Sequence, residues 1–335
     1  MTALVGIILF LLKIGLVFFG LLLVALLLAS GWLVFGERRL LAWMQIRLGP
    51  NRAGPFGLLQ PVADIVKLLT KEDVMPEGAD RWIFSFAPAI VAVTALLIFA
   101  VVPFGENWRI YGKEIPLVIS DINVGLLYAF ALSSLGVYGV ALGGWASNSK
   151  FSLLGSIRGV AQMISYELSL GLSLVPVVML TGSFSLVDIV NAQASYPFLL
   201  VQPVSFLIFF LSSAAEIKRI PFDLPEAENE LVAGYHTEYS GMRFGLYFLG
   251  EYVTMIMLGS LMAVFFFGGW RGPLLPPVIW FSGKVTLVVF VMIWLRATLP
   301  RLRYDQLMRL GWKVLIPAAL LNIVATGGVI LLFRS

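Results

Sequence analysis

The sequence predicts an all-α polytopic membrane protein of about eight transmembrane helices, with amphipathic helices on the cytoplasmic side. Composition is the first reason: 59% of the 335 residues are hydrophobic, 13% are charged, and the mean hydropathy is +0.94, outside the range of soluble domains. The second is a series of apolar runs, each near the roughly 20 residues a helix needs to cross a hydrocarbon core. The third is the alternation of the intervening loops between strongly basic and nearly free of Lys and Arg.

In order, the runs cover roughly 4 to 35, 82 to 104, 122 to 145, 157 to 181, 198 to 217, 242 to 267, 277 to 297 and 312 to 333. The first is too long to cross upright, so it tilts or runs past the interface. It lacks the cleavage pattern of a signal peptide ahead of a soluble domain, and reads as a mature helix. The loops after the first, third, fifth and seventh runs, about 36–81, 146–157, 218–241 and 298–311, carry with their flanks seventeen of the 23 Lys and Arg. The opposite side carries four, Arg109, Lys113, Arg271 and Arg334, while Lys13 and Lys284 fall inside runs. The positive-inside rule then places the large loops in the cytoplasm and both termini on the periplasmic side of a bacterial inner membrane. That distribution accounts for the net charge of +4 without nucleic acid as a partner. No repeat or low-complexity linker interrupts the chain, so residues 1–335 read as a single integral-membrane domain.

Within the first basic loop, Arg47 and Arg52 sit in a turn-rich stretch punctuated by Gly49, Pro50, Gly54 and Pro55. Beyond it Leu58, Val62, Ile65, Val66 and Leu69 recur at helical spacing, with Asp64, Lys67 and Lys71 on another face. That pattern describes an amphipathic helix at the membrane surface. Zero cysteines exclude disulfides, thiolate zinc sites and cysteine-held iron–sulfur clusters, and one histidine excludes a bis-histidine haem. No glycine-rich turn between a strand and a helix offers a dinucleotide site.

The chemistry concentrates in acidic residues. Residues 216–239 hold Glu216, Asp223, Glu226, Glu228, Glu230 and Glu238, and Glu251 follows in the next run. Asp223 and Glu226 have the spacing of a capping box with Pro225 in the first turn, a purely structural use. Glu226 and Glu230 would share one helical face at i and i+4, where carboxylates raise one another's pKa and share protons. Such a cluster suits proton transfer and would equally suit a metal. Glu167 lies about ten residues into the fourth run, some 15 Å from its start. Glu216 closes the fifth run and Glu251 lies inside the sixth; ionisable groups at such depth face a bundle interior or a water path. Lys284 either pairs with one of them or snorkels, and the lone His236 reads as a hydrogen-bonded structural residue.

Several motifs then combine: Glu37-Arg38-Arg39, Arg47-Leu48-Gly49-Pro50-Asn51-Arg52, Lys71-Glu72-Asp73, Ser165-Tyr166-Glu167, Arg219-Ile220-Pro221-Phe222-Asp223-Leu224-Pro225-Glu226-Ala227-Glu228, Tyr235-His236-Thr237-Glu238-Tyr239-Ser240-Gly241-Met242 and Arg301-Leu302-Arg303-Tyr304-Asp305-Gln306. In this order and spacing the chain resembles the H-subunit family of the proton-pumping NADH:quinone oxidoreductase, respiratory complex I, whose mitochondrial counterpart is NADH dehydrogenase subunit 1. The resemblance implies a tilted bundle related to half-channel antiporter subunits, a chamber for ubiquinone or menaquinone opening to lipid, and hydrophilic quinone-site subunits and small membrane subunits as partners. NADH, FMN and iron–sulfur clusters would belong to partner subunits, and no metal to this one. It further implies that Arg38, Arg47, Asp64 and Glu72 belong to the chamber and its entrance, with Arg296 and Arg301 as basic partners. Asp223, Glu226, Glu228, Glu230 and Glu238 would form the coupling loop, continued by Glu167, Glu216 and Glu251.

Three other classes compete. A stand-alone cation or proton transporter needs only membrane carboxylates, but no inverted repeat is visible and the loops are too extensive and charged. A structural anchor explains the loops and leaves the intramembrane glutamates unexplained. The corresponding membrane component of a proton-pumping hydrogenase shares the architecture and ranks second.

Overall fold

The computed structural model describes residues 2–106, 108–110, 113–115, 117–226 and 228–334, with backbone only for 2–19, 108–110, 113–115, 228–229 and 333–334. The chain runs through α1 (Thr2–Met44), α2 (Gln60–Thr70), α3 (Arg81–Ile98), the strands β1 (Trp108–Ile110) and β2 (Lys113–Ile115), α4 (Gly125–Ala146), α5 (Lys150–Thr181) and α6 (Leu186–Ala192). It continues through α7 (Phe198–Val201), α8 (Pro203–Glu216), α9 (Glu228–Leu231), α10 (Gly241–Phe266), α11 (Pro277–Thr298), α12 (Tyr304–Leu310) and α13 (Ile316–Arg334). The predicted helical class holds, with one addition: β1 and β2 pair antiparallel, Arg109 opposite Glu114, in the connection between α3 and α4.

Among the described residues seven helical stretches are long and apolar enough to cross a membrane, one of them the continuous Tyr304–Leu332. The run expected at 198–217 departs from a simple span. Pro203 has no backbone N–H and disfavours helix at the residue before it, so the chain breaks at Gln202 (φ −125°, ψ 56°). The restarted α8 has 14 residues, about 21 Å at the helical rise against roughly 30 Å of hydrocarbon. Polar side chains on α13 meet the break. Gln202 Nε2 donates to Thr326 Oγ1 at 3.0 Å, and Asn322 Nδ2 donates to Gln202 Oε1 at 3.0 Å and Ser205 Oγ at 2.8 Å. These bonds join side chains and tie α13 to the residues at the break, satisfying the buried Gln202 amide.

Two loop boundaries also move. The first run extends as helix to Met44, which puts Glu37, Arg38 and Arg39 on the last turns of α1. Lys150 and Arg158, expected in or beside a loop, belong to the first part of α5. The termini Met1 and Ser335, and the side chains of Lys13, Arg109, Lys113 and Arg334 used in the charge count, lie outside the described residues.

The core centres on α10, whose segment Met257–Phe266 is buried on every face, as a helix apolar all round must be. The glycines of α4 set how closely its neighbours approach. A Cβ at Gly139 would overlap Val91 Cγ2 and stand 2.8 Å from the Ala87 carbonyl oxygen of α3. At Gly143 it would overlap the Tyr247 hydroxyl, and at Gly144 the Cβ of Ser156. Small residues admit this proximity, which membrane helices use because lipid supplies no hydrophobic drive for association. Gly144→Val should cost about 1–3 kcal/mol through overpacking. Gly171→Ala, with nothing within 4 Å of its Cβ, should be near neutral. Thermal melting of the detergent-extracted protein distinguishes the two, and equal melting temperatures would refute the close-packing account.

Candidate functional site

Two contiguous cavities define the site. The outer one is a cleft of about 440 Å³ walled by apolar groups of α1, α2 and α10, including Leu27, Val34, Ile65 and Phe244, with Arg38, Asp64, Lys67 and Lys71 among its lining. Asp64 accepts from Arg38 at 2.8 Å, tying α2 to α1. The inner one, about 180 Å³, is a charged chamber lined by Glu37, Lys218, Arg219, Asp223, Glu226, Glu251 and Arg296. Arg38, Phe248 and Tyr252 line both, so the apolar cleft and the charged chamber adjoin across these three side chains.

The chamber is organised around the buried carboxylate of Glu37. Glu37, buried on α1, accepts hydrogen bonds from both Arg219 and Arg296, and Tyr252 bonds the same carboxylate. The Arg219 guanidinium carbon also lies over Tyr252, 4.2 Å from the ring centroid. Burial alone would lower the Arg219 pKa, but Glu37 beside it raises it. Lys218 sits 4.6 Å from the Tyr235 ring and donates to Tyr235 Oη at 3.4 Å; Tyr235 in turn donates to Glu251 Oε1 at 2.9 Å. Burial and the carboxylates Glu251 and Glu226 push the Tyr235 hydroxyl well above its usual range, so it remains a donor.

A chain of carboxylates leads inward from this chamber. Glu226 shares a hydrogen bond with Glu251. Burial, then the neighbouring charges of Glu251 and Asp223, hold Glu226 well above the usual carboxylate range, so of the pair it is the one that favours the proton. A small cavity of about 30 Å³, lined by Glu251, Lys218, Ser133, Thr94 and Glu216, separates Glu251 from the next carboxylate. Those polar groups share the lining with Val91, Ala95, Ile98, Met163, Ile217 and Met257, and the volume is about that of a single water. Ser133 Oγ donates to Glu216, the adjacent Ser134 Oγ donates to Glu167, and Glu167 is close enough to act electrostatically on Glu216. Gln162 Nε2 anchors the strap around this chain, donating to Ala215 and Phe222 carbonyls at 2.6 and 2.8 Å. Among the described residues no three His, Cys, Asp or Glu side chains converge as a metal-holding group.

The structure thus brings together Arg38, Asp64, Arg296, Asp223, Glu226, Glu251, Glu216 and Glu167, and separates others. Glu226 and Glu230 do not share a helical face: α9 begins at Glu228, after a turn over 224–226 that Asp223 precedes, so the expected capped helix does not form there. Glu230 turns to α5, accepting from Arg158 at 2.7 Å with Arg301 at 3.9 Å, and the Arg158 hydrogen bond holds its carboxyl below the usual range. The Glu228 side chain lies outside the described residues. Arg47 is exposed beyond α1, donating to Gln45 Oε1 at 2.7 Å, and Glu72 is exposed in the loop after α2. Neither lines the cavities, nor does Glu238 on the turn into α10.

Lys284 neither meets a carboxylate nor snorkels to water. Its Nζ donates to the carbonyls of Phe267, Gly269 and Arg271 at 2.7, 2.8 and 2.6 Å, at the C-terminal end of α10 where the helix dipole favours a cation. Sequence reasoning gave no role to Glu37, Lys218, Arg219, Tyr235, Tyr252, Ser133 or Ser134. A glutamate within an otherwise apolar helix was the available signal for Glu37, and Lys218-Arg219 closing an apolar run was the one for the cations.

Comparison with known proteins was consistent throughout. The family model described as NADH dehydrogenase matches residues 9–327. A relative from Syntrophobacter fumaroxidans, named as the second H-subunit of NADH-quinone oxidoreductase, is 71% identical over 309 residues, covering 92% of this chain and 93% of the relative. The protein of the same name from Geobacter sulfurreducens is 67% identical over 95% of each chain, and the H-subunit of Protochlamydia amoebophila 52% identical over 89% of this chain and 92% of its own.

Glu37→Gln would leave the deeply placed Arg219 without its counter-charge and should cost about 3–5 kcal/mol, read as lost thermal stability. Glu230→Gln should cost well under that, since its ion pairs are exposed. The pH dependence differs in sign between the two loop carboxylates. Stability tied to the raised Glu226 is present below the unfolded carboxylate range and lost as pH rises through its folded value. Stability tied to the lowered Glu230 is present above the unfolded value and lost as pH falls through the folded one. Melting curves across pH should therefore lose their alkaline decline in Glu226→Gln and part of their acid decline in Glu230→Gln. Unchanged limbs in both variants would contradict these assignments.

Proposed function

Because the chain belongs to the H-subunit family of NADH-quinone oxidoreductase, we propose that it walls the membrane side of a quinone chamber and couples quinone reduction to proton translocation. The observation that carries this reading is the contiguity of an apolar, lipid-level cleft with a charged chamber through Arg38, Phe248 and Tyr252. A ligand with a hydrocarbon tail and a polar redox-active head suits that sequence of environments. The cleft between α1, α2 and α10 is the entrance, and the chamber receives the headgroup, closed by hydrophilic partner subunits docking on the basic loops. Arg47, Glu72 and the exposed Ile46, Leu48 and Phe56 belong to that docking surface.

Reduction of a quinone to a quinol takes up two electrons and two protons. The electrons arrive from NADH through FMN and iron–sulfur centres of partner subunits, since this chain has no cysteine to hold a cluster. The protons have a donor near at hand in the Glu226–Glu251 pair, which shares a proton and faces the chamber. A change of charge in the chamber acts on this pair with little screening. Reprotonation would then draw on Glu216 through the single-water cavity, and on Glu167 through Ser133 and Ser134. Adjacent small membrane subunits would continue that path. The whole chain acts as one membrane domain of a bacterial inner-membrane translocase, with both termini periplasmic, and is not catalytic alone. Glu228 and Glu238 belong to the same coupling loop, and Arg301 steadies it through Glu230.

Membranes carrying Glu251→Gln should retain NADH oxidation with an artificial acceptor, reporting assembly, while quinone reduction and proton pumping fall by roughly 10²-fold or more, the scale of a lost proton-transfer group. Arg38→Ala should instead raise the apparent KM for quinone. Wild-type quinone reduction and pumping in Glu251→Gln would return the glutamate chain to a structural role. Glu228→Gln tests the loop in the same pair of assays.

A further inference from the structure

On the side of α1 away from α2, a second cleft of about 500 Å³ opens between α1 and the α10–α11 pair. Its floor includes the buried Leu26, Phe99 and Val285, and its rims the exposed Ala29 and Trp32 of α1 and Thr286 of α11. No charged side chain lines it. Its three hydroxyls are turned onto their own helices: Ser260, Ser282 and Thr286 each donate to the carbonyl four residues earlier at 2.8 Å. Apart from the Trp32 indole N–H on the rim, the walls therefore present almost only carbon. A charged headgroup or a polar peptide, with several groups to satisfy, would be desolvated there with too few partners.

Dimensions narrow the occupant further. The lining runs from Leu22 to Leu33 along α1, about 16 Å at the helical rise, close to half of the roughly 30 Å hydrocarbon core. It lies at the end of α3, the outer half of α10 and the start of α11, so it sits in the leaflet opposite the basic loops. About 500 Å³ over that length is a mean cross-section near 30 Å², well short of the roughly 80–110 Å² of a helix about 10–12 Å wide. An empty space of this size would forfeit dispersion contacts along all its walls.

We propose that this cleft is a binding site for one acyl chain of a membrane phospholipid. The bound chain replaces protein packing between α1 and α11 and so braces α1, whose inner end carries Glu37 and Arg38. The site contrasts with the α2 cleft, whose Arg38, Asp64, Lys67 and Lys71 give it a polar mouth. It does not depend on the quinone reading.

The test uses the assembled oxidoreductase in mild detergent, equilibrated with phosphatidylethanolamine carrying a diazirine within its acyl chain, washed with increasing detergent, irradiated and mapped by peptide. Label near Ala29 on α1 and Val285 on α11 should survive washing that strips label from Leu287 and Phe290 on the outward face of α11. Ala29→Trp, or the milder Ala29→Leu, should lose the cleft label and keep the outward one. Equal loss from both faces on washing would reduce the cleft to ordinary annular lipid and overturn the proposal. Displacement of the cleft label by a long-chain quinone and not by unlabelled phospholipid would overturn it as well, as would a cross-link from Trp32 to a helix of another subunit.

Discussion

The Glu37 carboxylate, buried between Arg219 and Arg296, ties together three segments distant in sequence: the inner end of α1, the chain leaving α8, and the last turns of α11. An unpaired ion at that depth costs several kcal/mol, whereas a charge held by two guanidiniums and a tyrosine hydroxyl is tolerable. Glu37 holds Arg219 and Arg296 side by side in the chamber wall. The short polar strap from Lys218 to Ser240 is then held at its start by Arg219 and along its length by Gln162, Tyr235 and Arg158.

That anchoring divides the strap's acidic residues into two populations. Glu226 faces inward to Glu251 and is pushed toward its protonated form; Glu230 faces outward to Arg158 and is pushed toward its charged form. Two carboxylates four residues apart therefore have opposed electrostatic preferences, set by burial on one side and a cation on the other. Tyr235 joins the parts, donating to Glu251 while accepting from Lys218, so movement of the strap alters the surroundings of the first carboxylate in the chain.

Helix breaks and clefts serve the same site from the membrane side. The interruption at Gln202 leaves α8 short, and its end brings Glu216 to Ser133. The polar contacts from α13 satisfy the buried Gln202 side chain at the break. Two clefts flank α1, one with Arg38, Asp64, Lys67 and Lys71 in its lining and one with no charged side chain, so a single long helix separates two spaces of different polarity.

Much of this was legible in the sequence. Hydropathy marks seven of the eight expected runs as long apolar helices, because bilayer thickness imposes a length on every crossing, while the Pro203 break that shortens the eighth comes from backbone chemistry. The period of Leu58 to Leu69 announces α2 for the same kind of reason, a surface helix having one apolar face. The depth of Glu167, Glu216 and Glu251 marks them as unusual before any coordinates, since burying a charge is costly wherever it lands. The motif series identifies the family, which the relatives bear out. What sequence spacing could not determine is partnership across helices. That Glu226 looks to Glu251 and not to Glu230, that Ser133 and Ser134 serve two different glutamates, and that Lys284 caps α10 rather than pairing with an acid, all depend on which helix faces meet. Those meetings are decided by the close approach of α3, α4 and α10 at Gly139, Gly143 and Gly250, a packing constraint that local chemistry does not encode and only the folded bundle resolves.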